Sequence, residues 1–357
     1  MLLARFDDHA FTILGPMPSQ SEAESLAERL RSSVAQHQFR TGIEVTEPTS
    51  SIGLDRLSDA VANGQDLINL AYQGCETARS EGGNRISVFE DGRDEAIDEE
   101  GSDTQLNELI QQALDNDRFK LVYQPIVSLE GDSRESYAVL TRLLDQNNRE
   151  IPPGQFMGTA DQSGQMAAID RWVINNAMSE LAEQRKEGRK VNFFISLSTA
   201  ALKDEKLLLW ICDCLRDHHA KGAWLTFQLH QVDLLSHMRE AKTLIEGLKK
   251  IKCEIAVDHY GGNPESNTLL KNVPVDYLKF DSSLIENLAT QQQKQDRLSE
   301  LNREAQGRDI KTIAMGVEDA NSLALLWTVG VNYIQGYFLQ EPSEDISSSF
   351  SEQGTSI

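Results

Sequence analysis

Amide, acidic and basic side chains lie at the ends of three predicted strands in the second half of this 357-residue chain. Gln228 and Gln231 close one strand, Asp258 and His259 close the next, and Lys279 lies in a third. The carboxyl ends of parallel strands meet at one rim of a barrel, where reactive groups collect. Mg²⁺ prefers several anionic oxygens in a fixed shell, and neutral glutamines do not supply them. We therefore expect weak metal binding here, and a buried ion pair between Asp258 and Lys279.

The charge balance excludes several classes of function. The formal net charge is −22 at pH 7, whereas binding to nucleic acids or anionic membranes needs a basic surface. A small anionic ligand still fits if an arginine or a helix amino terminus faces it. The sequence contains no run of about 18 apolar residues, so we expect no membrane-spanning helix. Acidic residues stand where a signal peptide needs an apolar core. The four cysteines lack metal-ligand spacing, which favours reduced thiols in the cytoplasm.

The order of predicted elements is typical of an α/β barrel. Alternating apolar residues predict a β-hairpin over Phe119–Arg142. Amphipathic helices separate the later strands, as a parallel barrel requires. The eight predicted barrel strands are Phe119–Ile126, Tyr137–Leu143, Asn192–Leu197, Leu225–Leu229, Glu254–Val257, Tyr277–Phe280, Lys311–Met315 and Tyr333–Ile334.

A separate α/β unit is predicted in residues 1–92, in the order β-α-β-β-α-β. The acidic run 93–104 predicts a solvated linker, and a helix over Thr104–Asn116 leads into the barrel domain, 105–345. The serine-rich residues 346–357 predict a flexible tail. The predicted elements of the first unit are the strands Phe11–Leu14, Gly42–Val45, Ser50–Leu54 and Ile86–Phe89 and the helices Ser21–Gln36 and Ala60–Arg79.

The segments Gln124–Ile126 and Tyr137–Arg142 resemble the opening of an EAL domain. That resemblance implies a (β/α)8-like barrel that binds cyclic di-GMP, which active members hydrolyse with two divalent metals. The glutamate of the family signature is Ala138 here. Because most of the metal ligands are replaced, we expect no catalytic activity and no required cofactor. Compared with the family, the chain replaces polar or acidic residues at Ser196, Gln228, Gln231, His259 and Met315, and retains Asp258, Lys279, Asp281 and Glu318.

The rest of the pocket keeps the residue types that the family uses for its ligand. The residues that the resemblance assigns to cyclic di-GMP are Gln124, Leu140, Arg142, Asp170, Val317, Glu318, Gln335, Gly336, Tyr337 and Pro342. An arginine can grip a phosphate or a guanine edge through two hydrogen bonds, and a carboxylate can accept both N–H groups of a guanine edge. Two alternatives stay open, which are an ion pair between Arg142 and Asp170 and helix capping by Gln335.

The first unit resembles the C-terminal half of a GGDEF domain, the diguanylate cyclase family. The segment Arg5–Phe11 stands where that family has its signature, but the two glycines are Asp7 and Asp8, and the acidic pair is His9 and Ala10. Glycine lets a substrate approach the turn closely, whereas carboxylates there repel a nucleotide phosphate. The resemblance therefore implies a truncated, degenerate GGDEF unit without cyclase activity.

The chain resembles the FimX-like regulators of twitching motility, in which a degenerate GGDEF unit is combined with an EAL domain that has lost metal ligands and kept its ligand pocket. The stretches that carry this resemblance are QPIVSLEGDS, IDRWVI and LWTVGVNYIQGYFLQ. This resemblance implies a cytoplasmic cyclic di-GMP receptor, with placement at the cell pole, upstream of type IV pilus assembly. It also implies a PilZ-domain partner and allows a homodimer, with no nucleic acid bound and no membrane insertion. Gly316 departs from the aromatic residue that stacks on a base in some members. The alternatives are a nucleotide-independent scaffold and a weak cyclic di-GMP phosphodiesterase.

Overall fold

The computed structural model of this chain contains two compact units, Met1–Gly101 and Ser102–Ile357. The structure describes residues 2–7, 10–16, 19–36, 39–41, 44–46, 48–54, 71, 74, 75, 78, 83–88, 99–132, 134–261, 269–317 and 319–346.

The first unit contains three small two-stranded sheets and one long described helix. Strand β5 pairs in parallel with β6, and Gly53 of β5 lies so close to another segment that an added Cβ would meet the Ala71 carbonyl oxygen at 1.9 Å. Only a glycine allows that approach. The described elements are β1 (Leu2–Asp7), β2 (Ala10–Leu14), α1 (Gln20–Gln36), β3 (Phe39–Thr41), β4 (Glu44–Thr46), β5 (Ile52–Leu54) and β6 (Ile86–Val88).

The prediction for the first unit was correct for helix α1 and for strands β2, β5 and β6, and it missed two strands. Strand β1 pairs antiparallel with β2, and β3 pairs antiparallel with β4. The segment Arg5–Phe11 therefore lies in a hairpin, although Asp8 and His9 fall outside the described residues. The predicted helix Ala60–Arg79 is described at only four of its residues.

The helix before the barrel begins earlier than the sequence predicted. It is α2 (Glu99–Asp115), so the last six residues of the predicted linker, 99–104, are helical. Two glutamates open this helix, and negative charge near a helix amino terminus is favourable because of the helix dipole. The acidic composition that suggested a linker therefore also suits a helix start. Residues 93–98 of the predicted linker lie outside the described residues.

All eight predicted barrel strands are confirmed, and they close into a ring. The first strand is antiparallel to both of its neighbours, and the remaining neighbours in the ring are parallel. One further short strand, β9, extends the sheet beside β8. The strands are β7 (Phe119–Ser128), β8 (Glu135–Leu144), β9 (Glu150–Ile151), β10 (Val191–Leu197), β11 (Leu225–His230), β12 (Glu254–Tyr260), β13 (Tyr277–Phe280), β14 (Lys311–Ala314) and β15 (Tyr333–Ile334).

Helices cover the outside of the ring and bury its apolar outer face. Tyr123 of β7 stacks on Phe193 of β10 at 5.2 Å between ring centroids, and both belong to this outer core. The helices are α3 (Pro153–Gln162), α4 (Met166–Lys186), α5 (Thr199–Lys203), α6 (Leu207–Asp217), α7 (Gln231–Ser236), α8 (Met238–Lys250), α9 (Ser282–Ile285), α10 (Gln292–Gln306) and α11 (Ala320–Val329). None of the helices in the described part of the chain has the length and apolarity that a bilayer span requires.

A second, smaller core fills the inside of the ring. Side chains alternate between the two faces of a strand, so residues two apart share a face. Ala138 is 1% exposed and belongs to this inner core, which places the even-numbered residues of β8 on the inner face. The inner core consists of Ile126, Ala138, Phe194, Ala256, Tyr277, Ile313 and Tyr333.

The residues that follow the last strand close the barrel, and we call residues 335–346 the closing segment. Ser343 exchanges both backbone hydrogen bonds with Tyr123 of β7, at 2.7 and 3.0 Å. The Ile346 carbonyl accepts a hydrogen bond from Arg189 at 2.6 Å, and the side chain of Ile346 packs on the outer core. The predicted flexible tail is therefore wrong at its first residue, Ile346, and residues 347–357 lie outside the described residues.

Candidate functional site

The hairpin formed by β7 and β8 supplies one wall of the barrel mouth. In its register Lys120 lies opposite Arg142, and Gln124 lies opposite Ala138. Strand β8 runs parallel to β10, so its carboxyl end lies at the mouth, and the antiparallel β7 brings its amino end to the same place. Leu140 and Arg142 follow Ala138 at two-residue spacing and share its inner face. Three predicted ligand residues, Gln124, Leu140 and Arg142, are therefore brought together.

Arg142 is held by an acidic residue from the next strand. Its Nε lies 3.7 Å from Oε2 of Glu150, and its Nη1 donates to the Thr141 carbonyl at 3.1 Å. Lys120 contacts the same Glu150 at 2.8 Å and also Glu344 of the closing segment at 2.5 Å. The suggested pairing of Arg142 with Asp170 is wrong. The sequence prediction did not include Lys120, although its cross-strand position opposite Arg142 follows from the hairpin register.

Asp170 lies on α4 and is buried, with 6% of its surface exposed. Its carboxylate accepts hydrogen bonds from the Ser198 hydroxyl at 2.5 Å and from the Ser198 backbone N–H at 3.4 Å. Ser198 follows the end of β10, and its Oγ also accepts from Ala201 N at the start of α5. Burial raises the pKa of Asp170 to about 6, because it disfavours the charged carboxylate more than the two hydrogen bonds favour it. A buried carboxylate beside a strand end can accept hydrogen bonds from paired N–H donors.

Three glutamines connect the hairpin wall to the closing segment. Gln335 is 7% exposed and donates from Nε2 to the Gln124 Oε1 at 2.7 Å. Gln124 in turn lies 3.5 Å from the Gln340 carbonyl. Gln335 caps no described helix, so that alternative for Gln335 is wrong. Its own Oε1 is buried and has no hydrogen-bond partner among the described residues, which leaves an acceptor free for a ligand.

Gly336 and Val317 pack backbone against backbone. An added Cβ at Gly336 would lie 2.3 Å from the Val317 carbonyl oxygen. The Val317 backbone accepts from the Phe338 N–H at 3.1 Å and donates to the Gln335 carbonyl at 3.2 Å, and its side chain is fully buried. Of this loop, Tyr337 is 37% exposed and Pro342 is half-buried, whereas Glu318 lies outside the described residues. Val317 therefore supports the loop through its backbone.

Replacing Gly336 with alanine is expected to destabilise the protein by about 2 kcal/mol, because the Cβ requires the Val317 backbone to move and disrupts its two hydrogen bonds. Thermal unfolding followed by circular dichroism measures the change. The matched control is Gly158→Ala in α3, where an added Cβ meets nothing within 4 Å and alanine favours the helix. Equal melting temperatures for the two variants would contradict the close approach.

On the opposite side of the mouth, the buried side chain of Lys279 lies beside Gln228 and Asp258. Lys279 is 3% exposed, and its Nζ donates to the Gln228 Oε1 at 2.5 Å and lies 3.8 Å from Oδ1 of Asp258. Burial lowers the pKa of Lys279, and the neighbouring Asp258 carboxylate opposes that shift. The predicted ion pair between Asp258 and Lys279 is confirmed, with Gln228 as a third member.

The remaining strand ends provide few anionic ligands. His259 has a positive φ of 53° and stacks edge-on against His230 at 4.6 Å, and its Nδ1 lies 3.8 Å from Asp281. Burial, together with His259, lowers the pKa of His230. Ser196 accepts a hydrogen bond from Gln228, and Met315 is half-buried. Across the described ranges, no three histidine, cysteine or acidic side chains are grouped so that they could hold a metal ion. The described residues therefore do not fit a pair of divalent metals, and Glu318 lies outside them.

The comparisons with known proteins agree with this geometry. Residues 107–342 match the model of the EAL domain family. The EAL domain of FimX from Pseudomonas aeruginosa, solved bound to c-di-GMP, is 37% identical with a TM-score of 0.65, over 68% of this chain and 98% of that chain. The EAL domain of FimX from Xanthomonas citri, in complex with c-diGMP, is 26% identical with a TM-score of 0.66, over 70% of this chain and 98% of that one.

A curated relative is the cyclic di-GMP phosphodiesterase PdeF of Escherichia coli, 28% identical over 65% of this chain and 31% of that protein. The chain spans about half or less of the length of the first curated relatives, at 49%, 31% and 51% for three of them. The family match covers more than half of this chain and coincides with the closed barrel. The chain therefore belongs to the EAL domain family.

Proposed function

We propose that this chain binds cyclic di-GMP at the barrel mouth without hydrolysing it, and so acts as a receptor. The observation that carries the proposal is a contrast between two sides of the mouth. One wall presents Arg142, Gln124 and Gln335, whereas on the other wall Gln228 and Gln231 stand where the family has acidic residues. FimX domains of similar sequence and fold bind c-di-GMP, which supports the same ligand here.

The absence of hydrolysis follows from charge. Two-metal phosphodiester cleavage needs two cations about 4 Å apart that generate hydroxide and stabilise the leaving oxygen. Ala138 supplies no ligand, and the amide of Gln228 is already hydrogen-bonded to the Lys279 ammonium. Asp258 alone does not complete such a shell.

Binding of an anionic ligand does not require the lost carboxylates. A glutamate at position 138 would face a phosphate without a neutralising metal, and alanine removes that repulsion. Arg142 can pair with a phosphate or a guanine edge through two hydrogen bonds. The buried carboxylate of Asp170 is suited to the two N–H donors of a guanine edge. The Gln335 Oε1 provides a further acceptor.

The proposal extends to the role of the whole protein. The first unit would be a degenerate GGDEF unit without cyclase activity, since Asp7 and Asp8 replace the signature glycines. The receptor would act in the cytoplasm, at the cell pole, on type IV pilus assembly and twitching motility through a PilZ-domain partner. These roles rest on the resemblance to FimX-like regulators.

Titration of the protein with cyclic di-GMP tests the proposed function. Calorimetry is expected to give saturable, one-to-one binding per barrel that is unchanged by a chelator, because no step of binding uses a metal. Incubation with Mg²⁺ or Mn²⁺ is expected to leave the nucleotide intact, as measured by chromatography. Binding that disappears with chelator, or turnover at the rate of an active phosphodiesterase, would refute the proposal.

Arg142→Ala is expected to weaken binding about tenfold, the loss of one charge-assisted contact at a half-buried site. Arg149→Ala is the matched control, because Arg149 lies nearby in the exposed turn that follows β8, where its backbone N–H donates to Oδ1 of Asp145. If the two substitutions weaken binding equally, Arg142 acts only through overall charge.

A further inference from the structure

Four charged side chains at the barrel mouth form a balanced cluster that the sequence prediction did not contain. Lys120 and Arg142 are direct cross-strand neighbours on the inner face of the hairpin. Glu150 contacts both cations, at 2.8 and 3.7 Å, and Glu344 contacts Lys120 at 2.5 Å. The two carboxylates raise the pKa of Lys120, Glu150 having the larger effect. Each cation is therefore already occupied by an anion.

The closing segment touches the inner wall next to these cations. Gln335 and Gln340 both contact Gln124, and Ser343 pairs with the backbone of Tyr123. Glu344 follows directly and reaches Lys120. The segment that carries several of the proposed ligand residues therefore also supplies one of the anions on the hairpin cations.

We propose that Lys120 binds a phosphate of the ligand, and that Glu344 and Glu150 occupy the cation pair in the ligand-free protein and are displaced by that phosphate. This inference rests on the proposed binding of cyclic di-GMP. It adds Lys120 to the site and makes nucleotide binding compete with an anionic residue of the closing segment. Binding would thereby release Glu344 from the hairpin.

The exposure of the four side chains indicates which of them a phosphate displaces from the cluster. Lys120 and Arg142 are 23% and 21% exposed, whereas Glu150 and Glu344 are 46% and 66% exposed. The carboxylates can turn to water with little desolvation, and exposed ion pairs of this kind are weak. The backbone of both cations is fixed by the paired strands of the hairpin, and their side chains are more buried than the two carboxylates. A phosphate that enters the mouth therefore exchanges for the carboxylates.

Release of Glu344 has a consequence for the chain after it. Tyr123 and Ser343 keep their two backbone hydrogen bonds, so the closing segment stays attached up to that point. Beyond it, among the described residues, the attachments to the barrel are the Glu344 contact, the packing of Ile346 and its hydrogen bond to Arg189. Loss of one of these loosens the end of the segment. Nucleotide binding at the mouth would in this way change how firmly the end of the closing segment is attached to the barrel surface.

The test measures cyclic di-GMP affinity by calorimetry in single and double variants of the full chain. Glu344→Gln and Glu150→Gln are each expected to tighten binding about threefold to tenfold, because an anion that competes with phosphate is removed. Lys120→Gln is expected to weaken binding about tenfold. Glu341→Gln is the matched control: Glu341 is an exposed glutamate of the same segment, without an ion pair among the described residues, and no change is expected.

The double variant Lys120→Gln/Glu344→Gln separates competition at one cation from a general effect of charge. If Glu344 acts by occupying Lys120, its removal gives no tightening once Lys120 is gone. Tightening that persists in the Lys120→Gln background, or that Glu341→Gln reproduces, overturns the inference while leaving nucleotide binding intact. A wild-type protein that does not bind the nucleotide overturns the proposed function itself.

Discussion

Replacing Asp170 with asparagine is expected to weaken nucleotide binding strongly while it raises the stability of the free protein at neutral pH. The carboxylate would accept two N–H donors from a guanine edge, and the asparagine amide places an N–H donor against one of them. Loss of charge-assisted hydrogen bonds at a buried site is expected to weaken binding about 100-fold. Asparagine has nearly the same shape, so the cavity itself is kept.

The gain in stability follows from the raised pKa of Asp170. The folded protein holds the proton with a pKa of about 6, above the ordinary 3.8 of an aspartate, so below pH 4 the group does not disfavour folding. As the pH rises through this interval, the folded state loses stability relative to the unfolded chain, because the unfolded chain releases the proton that the folded protein still holds. Above pH 6 the cost is complete. Asparagine avoids it, and we expect a gain of about 1 to 2 kcal/mol at pH 7.

The same pKa predicts how wild-type binding depends on pH. Only the ionised carboxylate accepts both guanine donors, so the proton on Asp170 must leave when the nucleotide binds. The affinity of the wild-type protein is therefore expected to fall by up to about tenfold per unit as the pH drops below 6. Calorimetry at several pH values measures this slope.

Urea unfolding at pH 5 and pH 7.5 separates the two effects of Asp170→Asn. The wild-type protein should lose stability between these values relative to the variant, since only the wild type ionises a buried carboxylate. Asp161→Asn, at an exposed aspartate of the preceding helix α3, is the control and should behave as the wild type does. An Asp170→Asn protein that binds cyclic di-GMP normally would remove Asp170 from the site.

The barrel could be predicted from the sequence because each strand carries a local signal. Val191–Leu197 and Leu225–His230 are short apolar runs rich in β-formers, and the helices between them repeat apolar residues at helical spacing. The hairpin register follows from alternation and a turn of suitable length. That register already implied the position of Lys120 opposite Arg142, although the prediction named only Arg142.

The features that could not be predicted depend on contacts between distant parts of the chain. Nothing local in the sequence around Ser343 indicates that it pairs with Tyr123, more than 200 residues earlier, and the serine-rich composition just after it suggested a flexible tail. The ion-pair partner of Arg142 also could not be predicted: the sequence suggested Asp170, and the structure shows Glu150. The helix start at Glu99 was missed for a different reason, since an acidic run suits both a linker and a helix amino terminus.

Replacing Asp258 with asparagine is expected to destabilise the protein by about 3 kcal/mol at pH 7. Lys279 is fully buried, and among the described residues Asp258 is the only carboxylate within ion-pair distance of it. Removing one member of a buried pair leaves the other charge without compensation, which costs about 3 to 5 kcal/mol. The 3.8 Å separation and the partial exposure of Asp258 favour the lower end of that range.

The pH dependence distinguishes this explanation from a loss of packing. Burial already lowers the pKa of Lys279, and the loss of Asp258 lowers it further. The folded variant then sheds its proton at a pH where the unfolded chain, with an ordinary lysine pKa near 10.4, still holds it. Stability is lost as the pH falls through the folded pKa and recovered as the pH rises towards 10, more steeply for Asp258→Asn than for the wild type.

Urea unfolding of Asp258→Asn across pH 6 to 10 measures this recovery, with Asp281→Asn as the control. Asp281 caps helix α9 by accepting from the Ser283 N–H, a role that asparagine preserves. The double variant Asp258→Asn/Lys279→Met should regain most of the lost stability at pH 7, since it buries no charge. A double variant as unstable as Asp258→Asn would show that Asp258 stabilises the barrel independently of Lys279.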